Sequence, residues 1–306
     1  MHITFFSKDT KPEPWVNALR QQLPDARVEE WALGADPADY AGVWAPPQDC
    51  PAAQPRLKGL FNIGAGVDAL MQLRLPTGVP VVRLDDAGMS VQMAEYVCHA
   101  VIRYFRELDV YAEEAQQAHW AFRRPRVRAD FTVGVMGLGV LGQRVAQALR
   151  GFEFPVVGWS RTPRQVEGIT CHAGAEGLSA FLGASQVLVN LLPLTPDTEN
   201  ILNRDTLAQL RPGAYVINVA RGAHLVDADL LALLDSGHLA GATLDVFRTE
   251  PLPDEHPFWQ HRRITVTPHT SARTLRDESV AQIVRKIRAL ERGEPITGVV
   301  DPLRGY

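Results

Sequence analysis

The sequence predicts an α/β fold with two parallel-sheet domains, and three observations support this prediction. Short apolar runs typical of buried strands alternate with amphipathic helical segments, which is the pattern of βαβ units around a parallel sheet. The alternation is interrupted once, by a long helical stretch from Ser90 to about Trp120. The chain has 306 residues, whereas a single hydrophobic core stops growing at about 250–300 residues. Two domains are therefore expected.

The elements before residue 90 form a first series. Its strand-like runs are 3–6, 28–33, 40–45, 57–63 and 81–84, with a helical segment at 15–23. From Ser90, a candidate N-cap, apolar residues recur at helical spacing and form a wide stripe, which consists of Val97, Val101, Tyr104, Phe105, Leu108 and Tyr111. We expect this long helix to cross into the second domain, and its stripe could also pack against a second subunit.

A second series runs from residue 131 to about residue 269. Its strand-like runs are 131–136, 156–159, 187–191, 214–219, 243–247 and 264–267, and its helices include 141–149, 206–210 and 227–234. One more amphipathic helix, about 274–291, has no strand partner left in this series, so we expect it to return to the first domain. The predicted domains are 1–92 plus 271–306, which is discontinuous, and 93–270, which includes the long helix.

The composition indicates a soluble globular protein without a nucleic-acid or membrane partner. It is 46% hydrophobic and 22% charged, and a net charge of −4 argues against binding to phosphate backbones. The arginine-rich stretch 123–128 is interpreted as a solvated loop rather than a polyanion site. We expect no signal peptide and no membrane span, and three isolated cysteines fit the cytoplasm. The histidine spacings predict no metal site.

A glycine-rich turn follows the run 131–136 and precedes an amphipathic helix. Its glycines are Gly137, Gly139 and Gly142, in the spacing GxGxxG. The first permits a tight turn, the second lets a pyrophosphate approach the backbone, and the third allows close packing of helix on strand. The strand before the turn and the helix after it favour a dinucleotide site over a merely structural turn.

The end of the next strand indicates which dinucleotide binds. NAD-binding proteins usually place an acidic residue about 20 residues past the glycines. This chain has Ser160, Arg161 and Thr162 there instead. A guanidinium at Arg161 could clamp a 2′-phosphate and the two hydroxyls could donate to it, although Arg161 could also be an ordinary surface residue. The sequence predicts NADPH, with NADH bound more weakly.

Three chemically active side chains, Arg221, Glu250 and His269, each stand just past a strand-like run. These runs are 214–220, 242–247 and 264–267. Because parallel strands end along one sheet edge, where ligands bind, we expect the three side chains to share one cleft. Each residue alone could be a salt-bridge partner, a surface acid or a loop histidine. Together, beside a dinucleotide turn, they favour hydride transfer to a carbonyl.

Four segments together resemble the D-isomer-specific 2-hydroxyacid dehydrogenases. They are GAGVD at 64–68, GLGVLG at 137–142, NVARG at 218–222, and the stretch from LDVF and EPLP to PH at 244–269. The resemblance covers nearly the whole chain. It is strongest to the glyoxylate/hydroxypyruvate reductase A branch, through DDAGMSVQMAEY at 85–96, GWSRT at 158–162, NLLPLTPDT at 190–198 and the tail VDPLRGY at 300–306.

The resemblance implies a fold and a role for each matching position. The fold is a flavodoxin-like substrate domain and a Rossmann dinucleotide-binding domain, both doubly wound, with a cleft between them. Arg221 would bind the substrate carboxylate and polarise its ketone, His269 would be the general acid, and Glu250 would orient it. Asp245 would hold the nicotinamide carboxamide. The resemblance further implies cofactor contacts at Leu141, Leu192, Pro193 and Val219, and substrate contacts at the amides of Gly66 and Val67.

The activity implied is NADPH-dependent reduction of a small 2-oxo acid, glyoxylate to glycolate or hydroxypyruvate to D-glycerate. The apolar stripe of the helix at 90–120, with the arm that follows it, separately predicts a homodimer. Trp44, at the end of its strand, would be a wall that admits only short substrates, although it could also be a core or rim aromatic. Thr270 and Ser271 depart from the small apolar residues usual after the histidine. Two other functions stay open: reduction of another 2-oxo acid, and non-catalytic dinucleotide sensing, which the NADPH preference and the lack of disordered tails disfavour.

Overall fold

A computed structural model describes residues 1–52 and 54–301. Ala53 and the end of the short tail, Pro302–Tyr306, lie outside the described residues. The strands are β1 (His2–Ser7), β2 (Arg27–Glu30), β3 (Tyr40–Trp44), β4 (Gly59–Asn62), β5 (Val81–Arg83), β6 (Val133–Met136), β7 (Val156–Ser160), β8 (Thr170–Ala173), β9 (Val187–Asn190), β10 (Ala214–Asn218), β11 (Leu239–Leu244) and β12 (Ile264–Val266).

The helices follow the same chain order. They are α1 (Pro12–Gln22), α2 (Asp49–Ala52), α3 (Asp68–Met71), α4 (Met89–Phe105), α5 (Leu108–Gln116), α6 (Val140–Gly151), α7 (Gly174–Ala184), α8 (Arg204–Leu207), α9 (Asp227–Asp235) and α10 (Arg276–Glu291). None of them, within the part of the chain that the structure describes, is long and apolar enough to cross a membrane. The chain divides into two compact units: unit 1 is Met1–Met89 with the chain from Arg273 onward, and unit 2 is Ser90–Ala272.

Unit 1 is built on a parallel sheet of five strands in the order β2-β1-β3-β4-β5. This is the flavodoxin-like doubly wound order, in which the chain winds helices onto both faces. Alternate residues of the strands pack into two apolar clusters, one with Phe5 and Ile283 and the other with Val43 and Leu60. α10 packs on α1, and the chain after it reaches β5, where Val300 N–H donates to the Val81 carbonyl.

Unit 2 is built on a parallel sheet of seven strands in the order β12-β11-β10-β9-β6-β7-β8. The order reverses between β6 and β9, which pair with each other, and β6 leads into the glycine turn. In doubly wound folds this switch point is where ligands bind outside the carboxyl ends of the strands. The prediction of two doubly wound parallel sheets is thus confirmed.

The prediction of a single long helix over 90–120 is wrong. α4 ends at Phe105 and α5 begins at Leu108, because Glu107 adopts a left-handed conformation with φ of 53°. The Glu107 carboxylate pairs with the guanidinium of Arg123 at 3.0 Å and with that of Arg126 at 3.6 Å. These two ion pairs, made by residues far along the chain, stabilise the break.

The stretch 123–128 is an irregular segment with Arg124, Pro125 and Val127 exposed, as expected of a solvated loop, but three of its arginines also contact unit 2. Arg126 lies 4.1 Å from the ring centre of Tyr104, and Arg128 donates to the Phe152 carbonyl at 2.8 Å. Together with the pairing of Arg123 and Glu107, these contacts fasten the loop to unit 2. The charges of Arg123, Arg126 and Arg128 are therefore used in contacts within the fold.

Candidate active site

The glycine turn has the geometry that a dinucleotide site requires. Gly137 has φ of 108°, a conformation that side chains disfavour. A Cβ on Gly142 would lie 1.8 Å from the Gly137 carbonyl oxygen, so α6 packs directly on the turn. A Cβ on Gly139 would meet nothing within 4 Å, which leaves open space for a ligand. The first N–H groups of α6, in the turn that includes Leu141, are oriented for an anion in that space.

The predicted 2′-phosphate residues lie at the end of β7, which terminates at Ser160. Arg161 and Thr162 are exposed. Ser160 is buried, and its hydroxyl donates to the Thr162 carbonyl at 2.8 Å. A hydroxyl has one hydrogen to donate, so in this structure Ser160 stabilises the turn that presents Arg161.

Two buried asparagines, which the sequence analysis missed, organise the neighbouring strand ends. Asn190 ends β9, Asn218 ends β10, and Asn190 Nδ2 donates to Asn218 Oδ1 at 3.0 Å. Asn190 Oδ1 also accepts the N–H of Leu192 at 3.2 Å, and Asn218 Nδ2 donates to the Arg221 carbonyl at 3.0 Å. The pair thereby holds two loops that carry predicted cofactor or substrate residues, which are Leu192 and Pro193 in the first and Val219 and Arg221 in the second.

Close backbone packing brings the loop of Arg221 to the loop of Glu250. A Cβ on Gly222 would lie 1.8 Å from the carbonyl carbon of Phe247. Only glycine allows this approach, which explains the glycine directly after the arginine. The charge of Arg221 acts on the Glu250 carboxyl and helps to lower its pKa.

Glu250 and His269 form a direct pair, with 2.8 Å between Glu250 Oε2 and His269 Nδ1. The other carboxylate oxygen of Glu250 accepts the Phe247 N–H at 2.9 Å, so both oxygens are engaged. Burial raises the pKa of Glu250, but the hydrogen bonds from His269 and Phe247 and the nearby positive charges outweigh it, so the pKa lies below its ordinary value. With Nδ1 facing a carboxylate, Nε2 of His269 is the ring atom left for a substrate.

Asp245 is fully buried and anchors the segment that carries His269. Its carboxylate accepts the Thr267 hydroxyl at 2.6 Å and the N–H groups of Thr270 and Ser271 at 2.8 Å each. The Thr267 hydroxyl has given its hydrogen to a carboxylate, so Tyr96 must be the donor in the 2.5 Å contact between Tyr96 Oη and Thr267 Oγ1. A carboxylate accepts about four hydrogen bonds, so these three leave one acceptor position.

The predicted substrate residues Trp44, Gly66 and Val67 belong to unit 1 and lie at the carboxyl ends of β3 and β4. The indole of Trp44 donates to Asp9 at 3.0 Å. It lies so close to Gly64 that a Cβ there would be 2.2 Å from the ring. The loop from Gly64 to Gly66 is therefore flanked by an aromatic side chain.

The structure thus brings Arg221, Asp245, Glu250 and His269 together in unit 2, beside the glycine turn's sheet edge. Their roles stay predictions, as do those of the unit 1 residues. The shared signal that could have revealed Asn190 and Asn218 is an asparagine as the last residue of a buried strand, as in VLVN and AYVIN. No group of three or more His, Cys, Asp or Glu residues suited to a metal ion occurs within residues 1–52 and 54–301.

Known proteins share this sequence and fold. Residues 98–271 match the family model of the D-isomer specific 2-hydroxyacid dehydrogenase, NAD binding domain. Two enzymes named glyoxylate/hydroxypyruvate reductase A are similar over 100% of both chains, at 49% identity in Yersinia enterocolitica and 51% in Serratia proteamaculans.

Solved structures agree with these relatives. A D-isomer specific 2-hydroxyacid dehydrogenase from Xanthobacter autotrophicus, in complex with NADPH and MES, has a TM-score of 0.95 at 42% identity. An NADPH-dependent glyoxylate/hydroxypyruvate reductase from Sinorhizobium meliloti, in complex with NADP and sulfate, has a TM-score of 0.94 at 38% identity. Each comparison covers 100% of this chain and 99% of the other. The chain therefore belongs to the D-isomer-specific 2-hydroxyacid dehydrogenase family, whose NAD-binding domain it contains.

Proposed function

We propose that this enzyme reduces glyoxylate and hydroxypyruvate with NADPH. The observation that carries the proposal is the pair of Glu250 and His269 beside Arg221, at the carboxyl edge of a dinucleotide-binding sheet. An imidazole held through Nδ1 by a carboxylate is suited to deliver a proton from Nε2. The names of the relatives that match the whole chain supply the substrate class.

The reaction assigns one task to each side chain. When bound, the nicotinamide supplies a hydride to the carbonyl carbon. His269 donates a proton from Nε2 to the carbonyl oxygen, and the Glu250 carboxylate stabilises the imidazolium and keeps the ring in place. Arg221 stabilises the negative charge that develops on the oxygen, a preorganised electrostatic contribution. Asp245 has one acceptor position left for the carboxamide.

The cofactor assignment rests on Arg161. It is exposed on a turn that Ser160 braces, and no acidic residue stands beside it in the segment 158–162. A guanidinium can bind a phosphate bidentately with charge assistance, and the bare hydroxyl of NADH offers no such charged contact. The relatives solved with NADPH and NADP support the same preference.

The domain roles follow from where these residues lie. Unit 2 would bind the dinucleotide, and unit 1, with Trp44 and the loop at Gly64–Val67, would bind the substrate. Free cysteines, two of them buried, support a cytoplasmic enzyme.

A homodimer is part of the proposal, but its support differs from the predicted apolar stripe. Val97, Val101 and Phe105 are buried in the core of unit 2. Exposed apolar side chains lie instead on the arm after α5, where Trp120 is 100% exposed and Phe122 85%. Large exposed apolar side chains on a fastened segment are typical of an interface with a second subunit.

The test is a panel of 2-oxo acids assayed with NADPH and with NADH. We expect turnover of glyoxylate and hydroxypyruvate with NADPH, and a kcat about 10²–10⁴ lower for His269→Ala with unchanged NADPH binding. Reduction of a different 2-oxo acid alone would reassign the substrate. NADPH binding without any turnover would instead identify a dinucleotide sensor.

A further inference from the structure

Asn62 is a buried polar residue at the carboxyl end of β4, with 2% of its surface exposed. Its Nδ2 donates to the Gly64 carbonyl at 3.0 Å and to the Gly66 carbonyl at 2.9 Å. A side-chain amide has two hydrogens to donate, so both are spent on one short loop. Asn62 therefore fixes the orientation of two peptide units of that loop.

The orientation of these carbonyls determines where the neighbouring N–H groups point. In a trans peptide unit the C=O and the following N–H lie on opposite sides. The Gly64 carbonyl shares its unit with the N–H of Ala65, and the Gly66 carbonyl with the N–H of Val67; neither bond is cis. Both N–H groups thus point away from Asn62. Within residues 1–52 and 54–301, neither has a protein acceptor.

Trp44 holds the same loop from another side. Its indole lies where a Cβ of Gly64 would otherwise be, and its Nε1 is fixed by Asp9. The loop is therefore held in one conformation before any ligand arrives. Two N–H groups without a protein acceptor, both turned away from Asn62 on a fixed loop, are suited to form a backbone nest, which binds anions.

We propose that Asn62 is a positioning residue for the substrate. It holds the Ala65 and Val67 N–H groups in place, and these groups bind the carboxylate of the 2-oxo acid. The inference rests on the proposed function, because it takes the bound anion to be that carboxylate. It adds the N–H of Ala65 to those of Gly66 and Val67, which the family resemblance indicated. Asn190 and Asn218 organise the loops after β9 and β10 in the same manner, from the last residue of a buried strand.

The experiment compares substrates with and without a carboxylate. Glyoxylate and glyoxal are two-carbon carbonyl compounds, but only glyoxylate is an anion. The main variant is Asn62→Asp, which keeps the shape and removes both donors, and Asn62→Ser is a second, uncharged variant. The control is Asn17→Asp, on the exposed face of α1 in the same unit. The measurements are kcat/KM for both compounds with NADPH, the Ki of oxalate and the Kd of NADPH.

For Asn62→Asp we expect kcat/KM for glyoxylate to fall about 10–100-fold, mainly through KM, as when a hydrogen bond to a charged group is lost. The Ki of oxalate should rise by a similar factor. Activity on glyoxal and the Kd of NADPH should stay within about threefold of the wild type. Asn62→Ser should shift the same quantities in the same direction, and Asn17→Asp should leave all of them unchanged.

Equal losses on glyoxylate and glyoxal, or an unchanged oxalate Ki, would overturn the inference while the proposed function stands. A wild-type enzyme that reduces no 2-oxo acid would overturn the function and the inference together. If neither variant folds, the wild-type enzyme with NADPH decides through its amide NMR spectrum. Oxalate should then shift the amide resonances of Ala65 and Val67. Unshifted resonances would refute the proposal that these N–H groups bind the carboxylate.

Discussion

Thr267 donates its hydroxyl to the buried carboxylate of Asp245, with 2.6 Å between Thr267 Oγ1 and Asp245 Oδ1. The same carboxylate accepts the N–H groups of the two residues that follow His269. His269 itself has φ of 51°, in the left-handed region that residues with a Cβ seldom adopt. Asp245 thus holds the chain on both sides of a residue in an unfavourable conformation.

Thr267→Val keeps the shape of the side chain but removes its hydroxyl, so we expect the segment that carries His269 to be held less firmly. The variant leaves Tyr96 without its acceptor and Asp245 without one donor. We expect the stabilisation of the transition state to fall by about 1–2 kcal/mol, which corresponds to a kcat about 5–30-fold lower. Thr267→Ser should restore most of the activity, because it keeps the hydroxyl. The measurement is kcat and the Kd of NADPH for the three proteins. A fully active Thr267→Val enzyme would show that the hydroxyl does not position His269.

Glu250→Gln tests the carboxylate that faces His269. Because the pKa of Glu250 is lowered, its carboxylate is charged at every pH above the ordinary pKa of the group. Its interaction with His269 is lost only as the pH falls through the lowered pKa. The substituted glutamine would carry no charge to favour the imidazolium. We expect kcat for glyoxylate with NADPH to fall about 10-fold or more, while the Kd of NADPH stays unchanged. A Glu250→Gln enzyme with the wild-type kcat would contradict the proposed role of Glu250.

The strand-end argument explains how much of the site could be predicted. The carboxyl ends of parallel strands meet at one edge, so residues as distant as Glu250 and His269 were expected to be neighbours, and they lie 2.8 Å apart. The bounds of β11 were not predictable in the same way. It runs from Leu239 to Leu244, whereas the predicted run was 243–247, and the carboxylate of Asp245 beyond its end holds the segment after β12.

Other features depend on tertiary contacts that no local pattern encodes. The end of α4 requires the ion pair of Glu107 with Arg123, sixteen residues away. β8 and α7 escaped prediction because Thr170–Ala173 is a half-exposed edge strand without an apolar run. Asn62 was missed for another reason. At the end of an apolar run it looks like an ordinary loop residue until the Gly64 and Gly66 carbonyls are placed on its amide.

Arg161→Ala should reduce NADPH binding and spare NADH. The loss of the charge-assisted contact with the 2′-phosphate should weaken the binding free energy of NADPH by about 1–3 kcal/mol. Arg164→Ala removes the same charge from another exposed arginine three residues on and serves as the control. Kd values for both cofactors decide the matter. Equal losses for NADPH and NADH would show that Arg161 does not contact the 2′-phosphate.

Phe122→Lys should dissociate the proposed dimer. A chain of 33.7 kDa gives a dimer of 67.4 kDa (2 × 33.7), and light scattering at micromolar protein separates the two masses. A lysine would have to bury its charge in an apolar interface, so the variant should shift toward the monomer. Phe152→Lys, which changes another exposed phenylalanine of unit 2, is the control. A wild-type monomer would refute the dimer and leave the exposed arm unexplained.

Substrate size tests Trp44. Its indole is fixed between Asp9 and Gly64, so it cannot easily move aside for a bulky substrate. If it is the wall of the substrate site, phenylpyruvate and 2-oxoisocaproate should be poor substrates. Trp44→Ala should then raise their kcat/KM relative to glyoxylate by at least about 10-fold, the lower end of what one methylene in a pocket changes.

The matched control for this prediction is Trp31→Ala, because Trp31 is also a partly exposed tryptophan of unit 1 but packs edge-on against Phe6. It should leave the ratio of large to small substrates as in the wild type. An unchanged ratio in Trp44→Ala would make Trp44 a rim aromatic without a role in specificity. A wild-type enzyme that reduces phenylpyruvate faster than hydroxypyruvate would go further, since a site open to an aromatic side chain has no wall, and the assignment of small 2-oxo acids would be wrong with it.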